Sequence, residues 1–256
     1  LKQEDTEALN ENEVRIFVSH KAYDNFIYQG EDFKRGIKII NKDKFLASSI
    51  ITAIASLGIS KVKVYKKPIV GIITTGDELQ EPGEELKEGK IFNSNKAFLY
   101  TRLLELGAEP RIFDIAKDSI EGIVSVVEKA EKECQIIIST GGVSVGEKDL
   151  VLRAVESIGY RRLFWKISMK PGSPMFSAVK NGVIYIGLSG TPVAAATTFE
   201  LTARRVIAKM LNCKDIDIRK VEGILQDEFK KKSPKRRFLR VRVSEDLENK
   251  VYINNI

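Results

Sequence analysis

The sequence predicts an α/β fold with a central doubly wound, mostly parallel sheet, flanked by parts of β-rich domains. Three observations support this prediction. Short apolar runs alternate with amphipathic helix patterns from about residue 68 onward. Glycine or charged turn residues follow each run, as they do in βα connections. The chain has 256 residues and 43% hydrophobic content, which is enough for a sizeable core.

The predicted strands are apolar runs suited to burial on both faces. In chain order they are Ile69–Thr74, Arg111–Ala116, Gln135–Ser139 and Leu163–Met169. Phe176–Val179 and Val183–Ile186 follow, and Asn181-Gly182 between them predicts a hairpin because this dipeptide tolerates positive φ. Strands that alternate with helices through right-handed crossovers imply an open sheet covered on both faces.

Helix patterns fill the gaps between these strands, and their ends carry ordinary capping signals. In chain order the predicted helices are Asn95–Leu106, a helix capped by Ser119, Leu150–Ile158, and a helix from Pro192 to about Leu211. The first is expected to bury Ala97, Tyr100, Leu103 and Leu104. The second is expected to bury Ile120, Ile123, Val124, Val127 and Ala130.

The flanking regions differ from this alternation. We expect a strand at Val14–Ser19, a helix at Ala47–Leu57, a strand at Lys61–Tyr65 and a β-rich region over residues 219–256. Because the first residue is Leu1 rather than Met, we also expect an N-terminal part before it.

Cysteine and histidine usage limits the chemistry. Cys134 and Cys213 lie far apart and His20 is the sole histidine, so a Cys/His zinc site is excluded and a cytoplasmic location is expected. No apolar run approaches the roughly 20 residues of a membrane span, and no secretory signal pattern opens the chain. We therefore expect no membrane association.

Positive charge is concentrated near the C-terminal end. Residues 230–242, named here the basic segment, hold eight Lys or Arg and no acid, and without them the net charge falls from +7 to −1. A loop whose charges face water is one interpretation, and a patch for an anionic small molecule or a partner protein is another. Nucleic-acid binding is not expected, because no aromatic-interleaved or helix-turn-helix pattern accompanies the charge.

Residues 141–146, GGVSVG, follow the third predicted strand and match two enzyme motifs. A serine-hydrolase nucleophile at Ser144 is disfavoured because His20 precedes it in the chain, which leaves only a Ser-Lys pair with Lys148 or Lys170. A Walker A loop fails because a glutamate stands where its lysine belongs. Glycine turns whose N–H groups face an anion remain the favoured interpretation, with an unliganded turn as the alternative.

Charged side chains follow the same strand ends, where ligands bind in doubly wound sheets. They are the acids Glu78, Asp118 and Asp149 and the lysines Lys166 and Lys170. Carboxylates with a hard cation such as Mg²⁺ form sites for phosphate or oxyanion chemistry. The lysines and the N-terminus of the helix from Pro192 add positive potential. The sequence therefore predicts a magnesium-dependent anion site at one edge of the sheet.

Several strings resemble those of the molybdopterin molybdenumtransferases, the MoeA and gephyrin E-domain family. They are TTGDEL (74–79), IFNSN (91–95), STGGVSVGEKD (139–149), FWKISMKPGSP (164–174), GLSGTPVAA (187–195), and the GED of residues 30–32 with Gly36 and the helix LASSIITAIASLG. The order and spacing agree over roughly residues 3–215. The resemblance implies insertion of molybdate into adenylylated molybdopterin with release of AMP, a divalent cation and a homodimer with a shared site. It also suggests a MogA-type adenylyltransferase or a molybdoenzyme as a partner.

The resemblance also implies roles for individual residues. The expected catalytic positions are Asp32, Glu78, Asp118, Asp149, Lys166 and Lys170, with Glu78, Asp118 and Asp149 as metal ligands. The expected substrate-binding positions are Gly141, Gly142, Ser144, Gly172, Ser173, Gly190 and Pro192. The implied domains are 1–28 (end of β-rich domain II), 29–67 (a linker and helix of domain I), 68–215 (MogA-like domain III) and 216–256 (start of β domain IV).

The chain departs from the family pattern at three places. Ser173 stands where KPGKP has its second lysine, Ser189 and Thr191 alter GLPGNP, and Ile27-Tyr28 replace the arginines that commonly precede GED. These losses of charge and rigidity suggest an alternative, a weakened paralogue that binds molybdopterin or scaffolds partners. Adenylyl transfer to the pterin is a third possibility, which the GED segment and the β regions argue against.

Overall fold

The structure is a computed structural model. It describes all residues except Leu1, His20, Asn25, residues 144–148, Lys231 and Ile256. It has two compact units. The first comprises Leu1–Asn41 and Leu46–Ser60, and the second comprises Lys42–Phe45 and Lys61–Ile256.

The first unit is small and contains little regular structure. A 3₁₀ turn at Gln3–Asp5 leads into β1 (Thr6–Ala8), which pairs antiparallel with β2 (Val14–Ile16), and the unit ends with α1 (Ser48–Ser56). The strand expected over Val14–Ser19 thus stops at Ile16. The helix expected at Ala47–Leu57 is confirmed within one residue at each end.

The second unit contains the alternating α/β region. In chain order its elements are β3 (Ile69–Thr74), β4 (Leu79–Gln80), β5 (Ile91–Phe92), α2 (Ser94–Glu105), β6 (Glu109–Ile112), α3 (Ile120–Ala130), β7 (Ile136–Thr140), α4 (Leu150–Ser157), β8 (Arg161–Trp165), β9 (Met169–Lys170), β10 (Phe176–Lys180), β11 (Val183–Leu188), α5 (Pro192–Thr198), a π-helical turn (Phe199–Ala203), α6 (Arg204–Met210), a 3₁₀ turn (Lys214–Ile216), β12 (Ile224–Leu225), β13 (Arg236–Arg237), β14 (Val241–Glu245) and β15 (Val251–Asn255).

Six strands form the central sheet in the order β6-β3-β7-β11-β10-β8. β6, β3, β7 and β11 are parallel neighbours, and β10 is antiparallel to both β11 and β8. β8 therefore runs in the same direction as the parallel strands, so its end at Trp165 lies at the edge where β3, β7 and β11 end. The predicted mostly parallel sheet is confirmed.

The central strands β3 and β7 are buried on both faces, because successive side chains along them enter different cores, whereas the edge strand β8 is exposed. Ile73 and Ile137 pack with α3 and α4, whereas Ile72, Ile136 and Ile138 pack with α2, α5 and α6. The Asn181-Gly182 hairpin is confirmed, with φ of 49° and 83° at its two turn residues. Ser119 caps α3 by accepting a hydrogen bond from Gly122 N–H at 3.0 Å. Strand pairing, the hairpin turn and the helix cap thus fix the positions of the strand ends that carry the site.

Three predicted strands in this unit are wrong: two in extent, and one because it does not form. Leu163–Met169 was expected as one strand, but β8 ends at Trp165 because Lys166 adopts φ +64° and its N–H donates to Met175 O at 2.8 Å. Lys61–Tyr65 is exposed and forms no strand, because its apolar alternation has no neighbouring strand with which to pair. Arg111–Ala116 is replaced by β6, which ends at Ile112, and one bridge at Ala116.

The buried face of α2 also differs from the prediction. The helix buries Asn95, Leu99 and Leu103, whereas Ala97, Tyr100 and Leu104 are exposed. Leu103 and Leu104 are adjacent in the sequence, so the pattern alone does not show which side of the helix is buried. The core residues contributed by β3, β7 and α5 select the face of Leu99 and Leu103. Farther along, the long helix expected from Pro192 is present but is interrupted by the π-helical turn.

Candidate functional site

The strand order creates a switch point between β3 and β7. The chain leaves β3, crosses through α2 to β6 on one side, and returns through α3 to β7 on the other side. In doubly wound sheets this reversal opens a crevice beyond the carboxyl ends of the two strands, and ligands bind there. The turn after β3, the glycines after β7 and the turn after β11 meet at this crevice.

Backbone packing holds these three turns together. Gly141 has φ +91°, and a Cβ added to it would lie within 3.0 Å of Thr75 O. Gly142 has φ +62°, and its Cβ would lie 2.5 Å from Val151 of α4. Gly190 approaches Gly141 Cα to 3.4 Å, measured from the position of its own missing Cβ. Only glycine provides both the conformation and the space that this approach requires.

Polar side chains complete the crevice wall. Asn95, at the start of α2, donates from Nδ2 to Gly190 O at 2.7 Å. Thr75 Oγ1 is buried, accepts no hydrogen bond within the described residues, and lies close to both Gly141 and Gly142. A buried hydroxyl without a partner is costly, so this group is suited to bond a ligand. The crevice therefore presents glycine turns and a free hydroxyl together.

Asp149 is the buried member of the three predicted acids, whereas Glu78 and Asp118 are exposed. It caps α4, and its Oδ1 accepts from Leu152 N–H at 3.1 Å, while only 3% of the residue is exposed. Burial raises the pKa of Asp149, and the Leu152 N–H, the Trp165 indole and the Lys166 charge oppose this rise. Oδ2 is buried and has no partner at hydrogen-bonding distance among the described residues, and the Trp165 indole is the side-chain donor that lowers the pKa of this carboxyl. One buried carboxylate oxygen thus lacks a hydrogen-bond partner.

Glu78 and Asp118 follow neighbouring strands at the same sheet edge. The Glu78 carboxylate folds back over Gly76 directly after β3. Asp118 is exposed, two residues after the bridge between Ala116 and Thr75. Both acids lie at the predicted edge of the sheet.

The predicted group of three metal-binding acids is not formed. Within the described parts of the chain, no three His, Cys, Asp or Glu side chains are close enough to hold one metal ion. The physical reason is local, because Asp149 turns into its own helix and Glu78 turns toward Gly76. Mg²⁺ commonly binds one or two carboxylates together with substrate phosphates. Asp149 Oδ2, which has no partner among the described residues, fits that mode, and the magnesium site stays a prediction.

The lysine-bearing loop follows β8 at the same edge. Lys166 Nζ lies 3.9 Å from the Trp165 ring centroid, a cation–π distance. Ile167 N–H donates to Ser173 O at 3.1 Å and closes the loop. A Cβ on Gly172 would lie within 3.0 Å of the Thr198 methyl group, so this loop packs directly on α5.

For two of the remaining predicted residues the role stays a prediction. Asp32 is exposed and belongs to the first unit. Ser144 lies outside the described residues. Pro192 begins α5 as expected, and the Ser189 hydroxyl accepts from Thr191 N–H at 3.4 Å just before it.

The structure adds contributors that sequence analysis did not assign. Thr75, Asn95 and Trp165 lie within motifs already recognised in the sequence. For Thr75, a polar residue at a strand end directly before Gly76, the motif itself was the available signal. Lys235 of the basic segment contacts Ser173, and no local pattern indicates a contact over that separation.

A doubly wound α/β domain with paired glycine turns at its switch point defines a class of protein that binds phosphate-bearing or nucleotide-like anions. The particular family follows from comparison. The chain belongs to the family described as "Probable molybdopterin binding domain", which its residues 71–209 match.

Relatives with assigned names agree with this family. The molybdopterin molybdenumtransferase of Staphylococcus epidermidis is 34% identical over 235 residues, covering 92% of this chain and 56% of that protein. The enzyme of the same name from Bacillus subtilis is 35% identical over 242 residues, covering 93% and 56%. A molybdopterin biosynthesis MoeA protein from Pyrococcus horikoshii superposes with a TM-score of 0.76 at 27% identity, covering 100% of this chain and 62% of that one. The chain therefore spans about half the length of the curated relatives it matches.

Within the described residues, no helix combines the length and apolar character that a membrane crossing requires.

Proposed function

We propose that this chain carries the molybdate-inserting site of a molybdopterin molybdenumtransferase. The substrates are adenylylated molybdopterin and molybdate, and the products are the molybdenum-loaded pterin and AMP. The observation that supports this most strongly is the contact between Thr75, Gly141 and Gly190 at the switch point. The turns after three strands approach each other there more closely than side chains would allow.

The residues of the crevice divide the work by charge. The Gly142 backbone N–H and the Thr75 hydroxyl bind the phosphate groups as neutral donors, whereas the Gly141 N–H already donates to Leu188 O at 3.3 Å. Lys166 and Lys170 place positive charge at the neighbouring loop, where the oxyanion enters. When bound, Mg²⁺ neutralises phosphate charge and favours the departure of AMP. Asp149 is held by its own helix through Oδ1, and its buried Oδ2, which has no partner among the described residues, is the carboxylate oxygen that would hold the ion.

A second candidate is binding of the pterin without turnover. Ser173 in place of the family's lysine favours it, because this substitution removes a positive charge from the side chain at this position. AMP release by the unmodified protein would exclude this candidate.

The test is AMP release by the full-length protein with adenylylated molybdopterin, molybdate and Mg²⁺. We expect turnover, and we expect Lys170→Ala to lower kcat/KM for molybdate by about tenfold or more, since charge-assisted hydrogen bonds contribute roughly 1.5–3 kcal/mol. Lys129→Ala is the matched control, because Lys129 is an exposed lysine at the end of α3, at the opposite edge of the sheet. No AMP above background at any molybdate concentration would defeat the proposal.

The expected homodimer, the MogA-type or molybdoenzyme partner and the cytoplasmic location stay predictions. Light scattering of the full-length protein tests the first of these, with a mass of two chains expected.

A further inference from the structure

We infer that Lys235 supplies the positive charge that the KPGSP loop, residues 170–174, lacks for holding an oxyanion. The inference rests on the proposed function only for the identity of that oxyanion as molybdate. The basic segment then has a defined task, as part of the anion site formed by the loop after β8.

The contact is a chain of two hydrogen bonds. Lys235 Nζ donates to Ser173 Oγ at 3.1 Å, and Ser173 Oγ donates to Ile167 O at 2.9 Å. The Ser173 hydroxyl proton is therefore donated to Ile167 O, and the hydroxyl oxygen accepts a hydrogen bond from the Lys235 ammonium group. An ammonium group has three N–H donors. Two remain for a ligand, because Lys235 forms no ion pair and no other side-chain hydrogen bond with the described residues.

Main-chain pairing fixes the segment at this place. β13 pairs in parallel with β9, so Arg236 lies opposite Met169 and Arg237 opposite Lys170. Phe238 N–H donates to Lys170 O at 2.9 Å and extends this pairing by one residue. A basic tail held only by charge would lack such register. Lys235 directly precedes the paired residues, so its backbone is held beside the loop.

On the other side, the Lys235 backbone is held by a turn. Its N–H donates to Ser233 Oγ at 3.2 Å, and Pro234 between them restricts the chain. The side chain is exposed, so solvent reaches the ammonium group and a small anion can approach it.

The charge at this position compensates for the substitution at residue 173. The family resemblance expects a lysine there, and this chain has a serine whose oxygen lies one hydrogen bond from the Lys235 ammonium group. A positive charge is thus present beside Ser173 although it comes from a different part of the chain. A hydrogen bond from an ammonium group to an oxyanion is roughly twice as strong as a neutral one. The Ser173 hydroxyl oxygen accepts the hydrogen bond that holds the ammonium group in place.

The test is calorimetric binding of molybdate to the full-length protein. We expect Lys235→Ala to raise the Kd by about tenfold. Lys232→Ala is the matched control, because Lys232 is exposed in the same segment and forms no hydrogen bond or ion pair with the described residues of the loop, and we expect its Kd to stay within about twofold of the unmodified value. Adding Ser173→Lys to Lys235→Ala should restore the Kd to within about threefold, because the charge returns on the neighbouring residue.

Each outcome decides the inference. An unchanged Kd in Lys235→Ala, an equal loss in Lys232→Ala, or no molybdate binding by the unmodified protein overturns it. Lys235→Gln, which keeps a donor without the charge, replaces the alanine variant if that variant unfolds at a lower temperature. AMP release is measured separately on the unmodified protein. Molybdate binding that depends on Lys235 without AMP release would therefore contradict the proposed function and leave this inference standing.

Discussion

Replacing Gly141 by alanine tests the close packing of the three turns. The new Cβ would lie within 3.0 Å of Thr75 O, and the backbone has φ +91°, which L side chains rarely adopt. Left-handed backbone costs roughly 1–2 kcal/mol for a residue with a Cβ, and forcing an extra methyl into a packed site costs roughly 1–3 kcal/mol. The backbone at Thr75 is held on both sides, because its N–H donates to Thr140 O at 2.9 Å and the residue forms a β-bridge with Ala116. The expected loss is therefore about 2–5 kcal/mol.

Gly182→Ala separates the cost of a left-handed backbone from the cost of packing an extra methyl group. Gly182 also has a positive φ, +83°, but a Cβ there would meet nothing within 4 Å. It should lose only the backbone cost, about 1–2 kcal/mol. Urea unfolding of the 256-residue chain, followed by fluorescence of Trp165, its one tryptophan, measures both free energies in the unit that carries the site. A loss for Gly141→Ala no larger than that for Gly182→Ala would refute the packing that we describe.

Three further predictions concern buried or paired groups in the same unit. Burial raises the pKa of Asp149 in the folded chain above its ordinary 3.8, so ionisation of this carboxyl destabilises the fold as pH rises from 3.8 through the raised pKa. Asp149→Asn keeps the cap of α4 and removes the charge. This variant should unfold at an equal or higher urea concentration at pH 7 and lose AMP release. Burial disfavours the ionised form of Glu200, but hydrogen bonds from Arg102 and Arg204 outweigh it and lower the pKa of Glu200 below 4.5. Glu200→Gln should therefore lower the free energy of unfolding by about 1–3 kcal/mol at pH 7. The difference from the unmodified chain should shrink as pH falls through the lowered pKa. Burial raises the pKa of the Cys134 thiol to about 11, so a disulfide reagent at pH 8 should label it only after unfolding; rapid labelling of the native chain would contradict its burial.

Much of this fold was predictable because its signals are local. The Asn181-Gly182 turn, the Ser119 cap and the apolar runs of β3 and β7 depend on neighbouring residues, and each appears within a residue or two of its predicted place. The positive φ of Lys166 that ends β8 has no such signal, because the Met175 carbonyl that receives its N–H comes from a later strand.

The site was predictable in outline and less so in detail. The rule that strand ends converge placed Glu78, Asp118 and the glycine turns at one edge. It did not reveal that Asp149 would turn into its own helix, because a capping aspartate and a metal-binding aspartate look alike in sequence. The contact between Lys235 and Ser173 depends on strand pairing across a long loop, which no local pattern records.

Hydrogen exchange with and without adenylylated molybdopterin tests the central claim most directly. If the edge that carries the turns after β3, β7 and β11 binds the ligand, amides at 75–78, 141–142, 166–173 and 189–191 should exchange more slowly when it is present. Amides of the turn at 181–182, at the opposite edge, should not change. Protection at the opposite edge, or none at the four segments under saturating ligand, would contradict the account.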